Sequence, residues 1–321
     1  MVFTAGIGWA DRSQPSALED PYRFSPGLSP LDLDLDDPSS SVWADSAECA
    51  GCHSEEYSEW AGSRHAVSWT NPIFQAGFLA EPLPFCVYCH APAEIQSEEV
   101  LKNLDWYASQ LHSDPRVRAR GRSVKSPEPH AGEGVSCAVC HLRDGEILTA
   151  NPSEDHLAPH PLRTEPSMAD SVYCENCHQF RMPETHNGRT TMTDVWMQST
   201  VLEWETWASQ SGSPEQCQDC HMPEGRHHFG GAHDREALRS SLQAVQSKRR
   251  QGLVISTQGV GHVFPTGDLF RSLTLEIATE DGWIEKARFS RAFQLTVDED
   301  GRVHKVPSED TRLQPGESRL V

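Results

Sequence analysis

Cys-x-x-Cys-His occurs five times in this chain, as Cys49-Ala-Gly-Cys52-His53, Cys86-Val-Tyr-Cys89-His90, Cys137-Ala-Val-Cys140-His141, Cys174-Glu-Asn-Cys177-His178 and Cys217-Gln-Asp-Cys220-His221, and together the copies use all ten cysteines. Zinc sites and disulfide frameworks also space cysteines closely, but neither requires a histidine directly after the second one. With 16 His among 321 residues, meeting that condition five times in five by chance has odds of roughly 3 in 10 million. The chemistry that does require it is covalent haem attachment: two thiols add across the porphyrin vinyl groups, and the adjoining imidazole reaches the iron from one side. Five haem c groups are expected on these thiols, with His53, His90, His141, His178 and His221 as the proximal iron ligands.

Five rigid, largely apolar plates constrain the fold. The 321 residues allow about 64 per porphyrin, and only 37% of them are hydrophobic, so the cofactors must provide much of the buried apolar surface. The expected class is a mainly α multihaem domain with little regular structure, wrapped around the haems, plus a small C-terminal antiparallel β unit. The motifs begin at 49, 86, 137, 174 and 217, too irregular for a solenoid, so one continuous haem domain over 43–251 is expected.

Residues 1–42 are rich in Pro, Ser and Asp and read as an extended arm; the apolar stretch from Val2 to Ala10 reads as a secretory-signal remnant without the usual positive start. Helices are expected over 54–69, with Tyr57, Trp60 and Val67 on one face, over 94–111, and over 193–209, with Trp196, Trp204 and Trp207. A further helix should start at Asp234 as N-cap, carry Leu238, Leu242 and Val245, and stop at Gly252. The period then changes to two over 253–257, 272–278 and 291–297, with turns at 280–282 and 298–301, which predicts a β-sandwich-like unit over 252–321. Asp310 to Gly316 reads as the approach to another strand, so the unit is expected to be cut short at Val321.

The chain carries 47 Asp+Glu against 27 Lys+Arg, a formal charge of −20. That acidity repels nucleic-acid phosphates and anionic lipids and leaves basic redox proteins as the natural partners. No run reaches the roughly 18 apolar residues that a membrane span needs. Haem is attached after export, which points to the periplasm or the cell surface.

Five irons need sixth ligands, and eleven histidines remain. The chosen candidates are His65, His130, His228, His233 and His262, with His156, His160 and His227 in reserve; His112, His186 and His304 read as ordinary surface residues. On a continuous helix His65 would stand about 18 Å beyond His53 and so serve a different haem. His130 lies in a glycine-bearing loop before the third motif, His227, His228 and His233 cluster after the fifth, and His262 sits in the stiff turn from Gly261 to Gly267.

The segments Trp60-Ala-Gly-Ser-Arg-His65, Gly134-Val-Ser-Cys137 and Cys217 to Met222-Pro223, followed by His228-Phe-Gly-Gly-Ala-His233, resemble the multihaem cytochromes c related to hydroxylamine oxidoreductase, its tetrahaem electron acceptor and the pentahaem nitrite reductase. The turn from Gly261 to Gly267 resembles one in a branch with a β unit after the haem domain. The resemblance implies electron transfer through tightly packed, mostly bis-His haems. It lacks the Cys-x-x-Cys-Lys active-site motif of the nitrite reductases, and no catalytic residue is assigned. Three functions follow: an electron carrier; a haem enzyme acting on a small nitrogen or sulfur oxyanion at one five-coordinate iron; and a filament in which one subunit's histidine binds the next subunit's iron.

Overall fold

In a helical turn, residues i, i+3 and i+4 share a face, so a helix is the local structure that points both thiols and the imidazole of Cys-x-x-Cys-His to the same side. The computed structural model describes residues 45–113, 130–143, 146–150, 160–186, 189–248 and 251–321; the expected arm over 1–42 and the candidate ligand His156 lie outside them. Four motifs close short helices that end on their histidine: Pro84–His90, Cys137–His141, Val172–His178 and Cys217–His221. The first is split between Ser46–Cys49, capped by Asp45, and the following helix Ser54–Ala61, whose N-cap is His53 itself.

Helix Pro72–Ala80 starts on a signal legible in sequence, Asn71 accepting from the Ile73 and Phe74 amides with Pro72 behind it. It packs with Leu104–Ser113 around Trp69, Phe78, Leu79 and Tyr107, all buried, with the aromatic rings edge-on at 5.1–5.8 Å. Among the described residues this is the largest apolar cluster of the haem region, and it lies beside the second motif through Val87.

Strands are far more abundant than the mainly α expectation allows: about 36% of the described residues are helix and 31% strand. A small sheet joins β1 (Leu142–Arg143), β2 (Glu146–Thr149) and β3 (Leu162–Thr164), with β2 and β3 parallel. A long hairpin of β4 (Gln179–His186) and β5 (Arg189–Ser199) stands between the fourth and fifth motifs. The C-terminal region holds two three-stranded sheets, β6 (Leu242–Gln246), β7 (Leu253–Thr257) and β11 (Ser318–Leu320) in one, β8 (Ser272–Thr279), β9 (Gly282–Val297) and β10 (Val303–Asp310) in the other. Ile255 and Phe289, one from each sheet, meet Leu313 in a buried core.

The differences have local causes. The helix expected over 193–209 begins only at Thr200, because β5, which carries the β-branched Thr190, Thr191, Thr193 and Val195, pairs with β4 at Thr190, Thr191, Met192, Trp196, Gln198 and Ser199; Trp196 stays on the strand, with the Arg181 guanidinium 3.5 Å over its ring. The Asp234 cap is present, accepting from Glu236 and Ala237, but the helix Arg235–Ser241 gives way at Leu242, where the chain pairs with β7. Gly252 is not a helix stop. Its φ is +137°, and a Cβ there would lie 2.4 Å from the Val321 carbonyl, so it admits the close approach of the last strand. The 54–69 helix ends at Ala61, with Gly62 as C-cap, and the 94–111 helix breaks at Asn103 into Glu94–Lys102 and Leu104–Ser113.

Candidate haem-binding centres

An imidazole nitrogen binds a first-row metal at about 2 Å and the ring centroid lies about 1 Å further out, so two imidazoles on opposite sides of one iron have centroids roughly 6 Å apart. Four of the five motif histidines stand in that relation to a second histidine. The centroid separations are 6.5 Å for His53 and His160, 6.1 Å for His141 and His227, 6.2 Å for His178 and His65, and 6.2 Å for His221 and His262. No two of these rings stack on each other at van der Waals distance; the separations are those of two imidazoles sharing one iron.

Three of the motif imidazoles are held by the nitrogen that iron does not need. Nδ1–H donates to a backbone carbonyl in His90 (Ser68, 2.9 Å), His141 (Leu148, 3.0 Å) and His221 (Gly230, 2.5 Å), and the Gln198 carboxamide meets Nδ1 of His178 at 3.1 Å. The three carbonyl bonds fix the ring plane and leave Nε2 free for a metal. His262 donates likewise from Nδ1 to the Val263 carbonyl at 3.0 Å.

Burial, helped by positive charge on neighbouring histidines, pushes His65 down to about 3 and His178 down to about 4; burial likewise lowers His90, His141, His227 and His262. These rings are neutral at physiological pH, the form that binds iron. The cysteines are half-buried or exposed, none sealed from a cofactor. The residues present therefore fit haem.

Thiols of different motifs also meet. A hydrogen bond between Cys49 and Cys137 raises the former and lowers the latter, one between Cys174 and Cys217 does the same, and Cys89 raises Cys177. The first motif thus abuts the third, and the fourth abuts both the second and the fifth.

Of the remaining candidates, His130 Nδ1 bonds the Glu99 carboxylate at 2.7 Å, His228 Nε2 lies 3.3 Å from Glu59 and His233 is exposed; none of the three faces a motif histidine. Among the described residues no imidazole faces His90, whose ring stacks on Phe74 at 3.6 Å. Several supporting residues gave no sequence signal. The nearly buried Glu59 carboxylate takes the His227 amide at 2.7 Å and so aims His227 at His141. Gly134, at φ +61°, brings the loop so close that a Cβ would lie 2.5 Å from the His65 carbonyl, and Val135 N bonds that same carbonyl at 3.0 Å. The Gly261 to Gly267 turn is tied to the helix Thr200–Ser211 through Thr266, which bonds Thr200 and Glu203. Glu203 in turn pairs with the buried Arg312 at 2.8 Å.

The sequence pattern of the MtrC/MtrF-like outer membrane cytochromes, domains II/IV, matches residues 41–234. The chain belongs to this family. Among solved structures, that of a penta-haem cytochrome c552 from Thermochromatium tepidum is similar, with a TM-score of 0.56 and 22% identity over 87% of each chain, which shows a shared fold. No curated protein matches it. This MtrC/MtrF-like chain is a multihaem cytochrome c, and haem-based electron transfer is its class of function. No helix among its described residues is long and apolar enough to cross a membrane.

Proposed function

We propose that this chain is an exported electron carrier with five covalently attached haems, four of them held between paired histidines. The observation that carries the proposal is the set of four imidazole pairs at 6.1–6.5 Å, each joining one motif histidine to one distant in sequence. The ten motif cysteines would hold the porphyrins, and His160, His65, His227 and His262 would complete the irons opposite His53, His178, His141 and His221. When bound, haem supplies a one-electron iron couple, and two histidine ligands keep its potential below that of a Met/His iron. The protein groups fix ring orientation through Nδ1, exclude charge from the imidazoles, and bring neighbouring motifs together through the Cys137 amide on the Ser46 hydroxyl and the Cys217 amide on the Ser171 hydroxyl. Kinship with the hydroxylamine oxidoreductase group belongs to the same reading and rests on the motifs quoted above.

Electron transfer is favoured over catalysis by the surroundings of His90, where an open iron would lie. The charge that acts on it among the described residues is the carboxylate of Asp268, whereas an oxyanion substrate calls for a polar, cationic pocket. His65 and His262 both face motif histidines of their own chain, which removes the feature that would favour a filament. The acidic surface suits a basic partner, with an association rate that falls as salt rises.

Intact mass and a pyridine haemochrome assay should count five haems in protein matured in an exporting host. Its oxidised paramagnetic resonance spectrum should show low-spin iron from the four pairs, unmoved by nitrite or hydroxylamine. Replacing His160, His65, His227 or His262 singly by Gly should turn one haem high-spin each time. Fewer than five haems, or four variants with unchanged spectra, would defeat the proposal.

A further inference from the structure

Glu184, His186 and His304 bring two imidazole nitrogens and a carboxylate oxygen to within 4.8 Å of one another. Glu184 and His186 are two apart on β4 and so share a face, close to the tip of the hairpin; His304 comes from β10 in the C-terminal sheet. None of the three belongs to a haem-attachment motif or to the imidazole pairs described above.

Two details point to a cation between them. His304 Nε2 lies 3.0 Å from the Asp298 carboxylate, while its Nδ1 lies 2.9 Å from Glu184 Oε2. With one ring proton donated to Asp298, a bare Nδ1 lone pair would repel the Glu184 oxygen at 2.9 Å, so Nδ1 carries either a second proton or a metal ion. The Asp298–His304 contact is also the outer-shell carboxylate that orients and strengthens a metal-binding imidazole. The second detail is His186 Nε2, enclosed by the protein without a hydrogen-bond partner and 3.6 Å from the same Glu184 oxygen, beyond hydrogen-bond reach. A buried nitrogen left in that state costs about 1–3 kcal/mol, and a metal would satisfy it.

We propose that Glu184, His186 and His304 bind one divalent transition-metal ion of the zinc class, clamping the β4–β5 hairpin to the C-terminal sheet. Two imidazoles and a carboxylate suit Zn²⁺, Co²⁺, Ni²⁺ or Cu²⁺ and not Mg²⁺ or Ca²⁺, which take oxygen ligands, and three protein ligands leave a fourth position for water. Small shifts of the side chains bring ligand atoms now within 4.8 Å to the roughly 3.3 Å spacing of a tetrahedral site. The clamp would brace a strand that begins at Gln179, directly after His178, and so would steady the fourth motif.

The test uses untagged, haem-loaded protein stripped with a chelator and dialysed against Zn²⁺, with zinc and iron counted by elemental analysis. One zinc per chain is expected beyond the haem iron, with a zinc-edge absorption spectrum showing two imidazoles and oxygen ligands. His186→Ala, which removes a ring that makes no hydrogen bond through Nε2, should keep its haem spectrum and weaken zinc binding at least 100-fold. Glu184→Gln should weaken it as well. Absence of bound zinc in the wild type, or zinc held equally by both variants, would overturn the proposal and leave His304 as an imidazolium bracketed by two carboxylates.

Discussion

Replacing Arg312 by Met is expected to cost about 3–5 kcal/mol, the range for breaking a buried ion pair from one side. Arg312 and Glu203 are each only 8% exposed, and Nη1 lies 2.8 Å from Oε1. Glu203 also accepts from the hydroxyls of Ser199 at 2.9 Å and Thr266 at 2.6 Å, but two neutral donors do not compensate a carboxylate that has lost its guanidinium. The figure of about 0–1 kcal/mol for surface pairs therefore does not apply. Asp310 also loses its partner, yet at 45% exposure water takes over that role. The double variant Glu203→Gln/Arg312→Met removes the stranded charge and should recover most of the loss. Because Thr266 ties the turn carrying His262 to Glu203, the single variant should also weaken the His262–His221 pairing and raise high-spin iron at one haem. Guanidinium unfolding of the haem-loaded proteins, followed by circular dichroism and by the Soret band, measures both effects. A single variant within about 1 kcal/mol of wild type, or a double variant no better than the single, would refute the account of how the C-terminal sheets dock on the haem region.

Three further outcomes are expected. Gly134→Ala forces a side chain into the left-handed region and a Cβ to 2.4 Å from Ser68 Oγ; it should cost at least about 2 kcal/mol in a denaturant titration and disturb the His65–His178 haem. Burial, then the neighbouring Asp45, raises Glu133 to about 7, so the folded chain binds a proton that the unfolded chain has released. That group's contribution to stability should fall as pH rises from about 4.5 to about 7, and the denaturation midpoint of Glu133→Gln should gain on that of wild type across the same window. His262→Met should raise the potential of one haem by a fraction of the ~0.8 V that axial ligands span, leaving the others in place in a spectroelectrochemical titration.

Some of the architecture was legible residue by residue. The thiols and imidazole of a haem motif lie within five residues on one helical face, so attachment chemistry is local and readable. The Asp234 cap and the alternation over 253–257 and 272–278 are local in the same sense, and the caps and strands are where that reading puts them. Helix ends were less legible. Trp60 and Val67 fit one helical stripe, but the chain turns at Gly62, the Trp60 indole bonds the Val135 carbonyl at 2.8 Å, and the loop after Gly134 takes the His65 carbonyl. The mainly α reading failed for a related reason: β-strand pairing joins residues far apart, as where Leu242 meets Thr257, and no window along the sequence contains both partners.

The sequence by itself determined the haem-cytochrome class, the motifs on which attachment is proposed and the acidic charge balance, because each depends on residue identity and not on the fold. Which second histidine faces four of the five motifs was decided by the tertiary structure. His160, His227 and His228 are equivalent as residues, and only the carboxylate of Glu59 on the His227 amide, with the positions of strands and helices brought from elsewhere in the chain, turns His227 towards His141 and leaves His228 outside. A metal needs its ligands within a few ångströms of one point, and that is a property of the folded chain that no spacing along the sequence encodes.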